Sequence, residues 1–108
     1  MKAKPPTSIP TVERAAVIVR DRVCFLTRLG PHECRDRWGT PHAPDDYARM
    51  TCDHVSRWVG GQKGKRPEHK ACFMVLMCWA SNVAVPSKDV RAAERSYLRD
   101  LYPEAWAA

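Results

Sequence analysis

The chain has no long apolar run. Its 108 residues contain nothing near the ~18 consecutive apolar positions of a membrane-spanning helix, so no membrane role is expected. No apolar stretch follows Lys2 and Lys4, and a secretory signal is therefore not expected either. Acidic residues are in deficit. Twelve Asp and Glu stand against eighteen Lys and Arg, a net charge of +6, which favours a polyanionic partner; a merely solvated basic surface is the alternative. There is no internal repeat, and no low-complexity block beyond a proline-rich start. The length suits one domain with a modest core.

Cysteine is the exception to this scarcity. Five in a chain of this length is dense, and the count is odd. Without an export signal, such a count points to metal ligands or buried thiols more than to a disulfide framework. The expected compartment is the reducing cytoplasm, intracellular and in a bacterial host.

Residues 1–11, with Pro5, Pro6 and Pro10, read as a flexible lead-in, and 12–108 as a single domain. Thr11 is a candidate N-cap for a helix over Val12 to about Arg22, with Val12, Ala15, Ala16 and Val19 on one stripe. The β-branched run at Val17 to Val19 keeps a strand open as the alternative. Val23–Thr27 reads as a short strand, 29–46 as a charged loop broken by Pro31, Gly39, Pro41 and Pro44, and Arg49–Val55 as a second strand. There Asp53 and His54 project to opposite faces. Gly60–Pro67 is a basic turn. Lys70–Val83 reads as an apolar helix, and Ser87 caps a last helix that ends before Pro103. Its buried stripe is Val90, Tyr97, Leu98 and Leu101, and Arg91, Arg95 and Arg99 recur on the other side.

The residues that carry chemistry are Asp53-His54, the following Gly60-Gly61, and Cys78-Trp79-Ala80-Ser81-Asn82. A carboxylate and an amide oxygen suit a hard cation, and a neighbouring imidazole can deprotonate water near neutral pH. Together they supply what phosphodiester hydrolysis needs, a Lewis acid and a base. The structural alternatives are a satisfied polar residue at His54 and a helix-terminal cap at Asn82.

From about Arg20 to Lys88 this pattern resembles the HNH (ββα-metal) nucleases, in particular short free-standing proteins that phages encode. The family carries a Cys-x-x-Cys pair before the Asp-His and another after it. Here Cys24-Phe25-Leu26-Thr27 and Cys78-Trp79-Ala80-Ser81 each keep only the first cysteine. The family's middle Asn has no counterpart in Ala71-Cys72-Phe73-Met74-Val75. The resemblance implies a small α+β, ββα-metal type domain with a two-stranded ribbon, a long inserted loop and flanking helices. It implies His54 as general base, with Asp53 and Asn82 holding Mg²⁺ or Mn²⁺. A structural Zn²⁺ would use Cys24 and Cys78, completed from the loop by Cys34 and one of His32 or His42, with His42 assigned. Cys52 and Cys72 are read as small core residues.

The implied activity is metal-dependent hydrolysis of double-stranded DNA. Arg57, Lys63, Lys65 and Arg66 would grip the backbone, and Arg91, Arg95 and Arg99 would form a phosphate rail. A homodimer or a phage or host protein partner is compatible with this. Two alternatives stand beside it: a nuclease-derived regulatory protein that binds DNA or protein without cutting, favoured by the missing Asn, and a zinc-ribbon adaptor.

Overall fold

The computed structural model describes residues 9–56 and 68–107. Its centre is an antiparallel ribbon of β3, Met50–His54, and β4, Met74–Cys78, in the register Met50↔Cys78 to His54↔Met74. Every residue of β4 is buried. Helix α1, Thr11–Asp21, packs on β4. A 3₁₀ turn, Phe25–Arg28, follows it. A small hairpin of β1, Cys34–Arg35, and β2, Pro41–His42, then precedes the ribbon. After β4 the chain passes directly into α2, Trp79–Val83, then α3, Lys88–Leu101, and α4, Pro103–Trp106. The molecule is a small α+β domain of ββα type. Among the described residues no helix is long and apolar enough to cross a membrane.

The strand at Met50–His54 and the last helix form where the sequence places them. Ser87 caps α3 by accepting from the Val90 amide. Other expectations are corrected. Val23–Thr27 is not a strand: Cys24 enters the 3₁₀ turn, and the ribbon partner of β3 is β4. The apolar Lys70–Val83 segment is not one helix. It divides into a 3₁₀ turn at Ala71–Phe73, then β4, then α2. A strand buried on both faces reads as a continuous apolar run, which periodicity cannot separate from a helix.

The stripe expected to bury α1 faces outward. Val12 and Val19 are exposed, while Val17 and Asp21 are buried. Polar chemistry decides this. Asp21 accepts from the Leu76 amide at 2.8 Å and the Tyr97 hydroxyl at 2.5 Å, and pairs with Arg20 at 2.6 Å. Arg20 donates to the Ala71 and Met74 carbonyls, and Glu13 accepts from the Ala71 amide. The inner face of α1 thus satisfies backbone groups of β4 and the turn before it, which would otherwise be buried unpaired at a cost of about 1–3 kcal/mol each. On α3, Leu98 is fully buried as expected, but Leu101 is exposed, and Glu94 takes a core position instead.

Candidate metal centre

Three separate segments meet where α2 leaves β4. Cys24 stands just before its 3₁₀ turn, His32 and Cys34 come from the loop and β1, and Cys78 ends β4. Their ligand atoms all lie within 4.8 Å of one another, with the three cysteines buried and His32 half-buried. A tetrahedral site with metal–sulfur bonds of roughly 2.3 Å has edges of about 3.8 Å, so only a small contraction is needed to close it. Among the described residues this is the one group of three or more Cys, His, Asp or Glu side chains that close together.

The electrostatics fit thiolate chemistry. The Cys78 thiol is pulled down by its hydrogen bond with Cys24, and further by Ser81, the Arg35 backbone amide and His32. Its sulfur lies 3.1 Å from the Ser81 hydroxyl and 3.4 Å from His32 Nε2. Cys24 is pushed up as the proton-holding partner of Cys78 and by burial. Burial, with the charge of Cys78, raises Cys34 to about 11. A bound cation would displace the protons that these thiols carry. The soft, closed Cys₃His donor set can hold a metal ion.

Thr27 and Ser81 both lie next to this site. Thr27 donates to the Cys24 carbonyl at 2.7 Å, and Ser81 touches the Cys78 sulfur. The other two donors of the group come from His32 and Cys34. His42, the histidine assigned from the sequence, is not in the group. It is the cross-strand partner of Cys34, yet its Nδ1 is 2.7 Å from the Ala43 carbonyl and its Nε2 is buried without a partner. The structure corrects the assignment to His32.

The expected hard-cation site is not assembled in the same way. Asp53 is buried in β3, and its carboxylate is 2.7 Å from Arg91 of α3. The same guanidinium nitrogen donates to the His54 carbonyl at 3.0 Å and to Glu94 at 3.1 Å. Burial, with the nearby Asp53, pushes the Glu94 carboxyl up to about 9. Its Oε2 is buried without a partner. Asp53 is therefore neutralised by protein groups. Asn82 is half-buried on α2, which starts from Cys78 at the Met50 end of the ribbon, whereas Asp53 pairs with Val75 near the other end. Asp53 thus already carries a cationic partner, Arg91.

His54 ends β3 half-buried, with its Nε2 2.9 Å from Nδ1 of His69 and the two rings edge to face. Burial and the neighbouring His69 hold His54 below the ordinary imidazole value. His69 and Glu94 were not singled out in the sequence. His69 follows the basic turn and Glu94 lies within a charged helix, and neither position carries a motif.

The basic residues divide. Arg91 is spent on Asp53 and is no open phosphate contact, which corrects that part of the expected rail. Arg95 is half-buried and Arg99 exposed. Arg57, Lys63, Lys65 and Arg66, with Gly60 and Gly61, lie outside the described residues. No protein-family model, curated protein or solved structure matches the chain.

Proposed function

We propose that this chain is a zinc-knit ββα domain of the HNH endonuclease type that binds DNA and uses His54 as the general base for phosphodiester hydrolysis. The observation that carries the reading is His54 at the end of the ribbon, with its Nε2 2.9 Å from Nδ1 of a second imidazole, His69. In the tautomer where His54 Nε2–H donates to His69 Nδ1, its Nδ1 can take a proton from an attacking water. Arg91 acts as a positioning residue. It fixes the Asp53 carboxylate and the His54 carbonyl together and so sets the backbone that presents the imidazole. The Cys₃His centre anchors β4 and α2 at the other end of the ribbon, with Zn²⁺ the cation its sulfur-rich set favours. The net charge of +6 supports a polyanionic substrate.

A second reading is favoured by one specific observation. The Asp53 carboxylate is neutralised by Arg91 and Glu94, as in a nuclease-derived protein that binds its partner without cutting. A plasmid-nicking assay with and without Mg²⁺ and Mn²⁺ separates the two. The endonuclease reading expects cleavage by the wild type and a loss of about 10²- to 10⁴-fold in His54→Ala. Full activity in a folded His54→Ala variant would sink the catalytic assignment. Silence of the wild type under every metal promotes the binding protein.

A further inference from the structure

The turn of the β1–β2 hairpin makes a second site, away from His54. Asp36 is buried, and its Oδ1 accepts from the Trp38 and Thr40 amides at 2.9 and 3.0 Å. Gly39 closes the turn at φ +79°, donating its amide to the Asp36 carbonyl. The two residues between them are therefore presented on a rigid backbone. Trp38 is 79% exposed. The Arg37 guanidinium lies 5.5 Å from the Trp38 ring centre and 4.5 Å from that of Trp79, the first residue of α2. Asp36, Arg37, Trp38, Arg49, Met50 and Trp79 line a cleft of about 230 Å³.

An exposed indole is costly to leave in water, and this one is held in place. The cleft is too small for a drug-sized molecule, for which roughly 300–1,000 Å³ is usual, but one flat ring fits. A cationic guest is disfavoured because the Arg37 guanidinium already places a positive charge beside both rings. Asp36, the acidic group in the lining, is committed to the turn amides and to Arg49 at 3.3 Å. The guest must therefore be planar and carry negative charge nearby. We infer that Trp38, with Arg37 and Trp79, is a stacking platform for an unpaired base of a DNA strand, with Arg37 and Arg49 facing its phosphates. A paired base keeps its faces inside the duplex, whereas an unpaired one offers them to an aromatic ring. This inference deepens the proposed function and rests on its choice of DNA as partner.

The test is binding of the full chain as purified, without added Mg²⁺ or Mn²⁺, to fluorescently labelled oligothymidylate and to an abasic oligonucleotide of the same length. The two carry the same phosphate charge and differ in their bases. The wild type should bind oligothymidylate roughly tenfold more tightly. Trp38→Ala should bring that ratio to near one while keeping salt-sensitive binding to both, and Trp38→Phe should restore most of it. Because Trp38 is exposed, the variants test stacking rather than folding. An equal affinity of the wild type for both strands, an undiminished preference in Trp38→Ala, or equally tight binding of poly-glutamate would overturn the inference. Base preference without plasmid nicking removes the nuclease reading alone; nicking without base preference removes this inference alone.

Discussion

Removing the metal should cost this domain a large part of its stability, and His32 rather than His42 should control the loss. The four ligands come from the Cys24 turn, the 32–34 segment and the end of β4, with ligand atoms within 4.8 Å. A cation bound only by the folded chain at about a thousandfold over its Kd stabilises it by about 4 kcal/mol. For a domain of this size each kcal/mol moves Tm by roughly 4–8 °C. Chelation should thus lower Tm by roughly 15–30 °C. Ligand-orienting neighbours are worth about 10- to 100-fold in metal affinity, so loss of a ligand in His32→Ala should reach or pass the upper figure. His42→Ala should leave affinity unchanged, since its imidazole faces Ala43 rather than the sulfurs. Elemental analysis of protein purified without chelator should give one zinc per chain, and cobalt substitution should give thiolate charge-transfer bands that weaken in Cys78→Ala. The reasoning is refuted by a metal-free protein that melts cooperatively at a Tm indifferent to chelator, or by equal metal affinities in the two histidine variants.

Two stability predictions follow from buried polar groups. Asp21→Ala strands the Arg20 guanidinium, 13% exposed, together with the Leu76 amide; breaking a buried pair costs about 3–5 kcal/mol, so thermal melts should show a fall in Tm of more than about 10 °C. A loss of only a few degrees would mean that water replaces the carboxylate. Glu94 sets a pH dependence. Its folded-state value, about 9, lies above the ordinary 4.5, so between these limits the folded chain holds the extra proton. This contribution is complete below about 4.5 and is lost as pH rises toward 9. Glu94→Gln keeps a donor toward Asp53 and an acceptor for Arg91, so its Tm should fall less than the wild type's between pH 6 and 9. Parallel pH profiles for the two proteins would rule out a protonated Glu94.

The sequence announced those features whose signals are local. Alternation from Met50 marked β3, Ser87 marked the start of α3, and the first cysteines of two broken pairs pointed to Cys24 and Cys78. What it hid depends on partners distant in the chain. β4 is buried on both faces and so carries no period. His32 and His42 both flank Cys34, and only the hairpin register, which sets Cys34 opposite His42, and the path of the preceding loop decide which imidazole reaches the sulfurs. The stripe Val12, Ala15, Ala16, Val19 predicted a buried face for α1, but hydrophobicity lost to hydrogen bonding. β4 needs acceptors and donors for its backbone, and Glu13, Arg20 and Asp21 supply them, so the polar side of the helix turns inward.

Arg91 shows the same rule at the site itself. In the sequence it is the first of three arginines at helical spacing, indistinguishable from Arg95 and Arg99. In the fold it is the one that reaches Asp53 across the end of β3. A buried carboxylate must be paired, protonated or bound to a cation, and here Arg91 pairs with it. In the proposed endonuclease, a divalent cation held by Asp53 would have to compete with Arg91. Arg91→Gln weakens the competing cation while keeping a hydrogen-bond donor for the His54 carbonyl. In the endonuclease it should lower the Mg²⁺ or Mn²⁺ concentration needed for half-maximal nicking by several-fold. An unchanged metal requirement with intact folding would show that Asp53 and Arg91 form a structural pair and that any catalytic cation sits elsewhere.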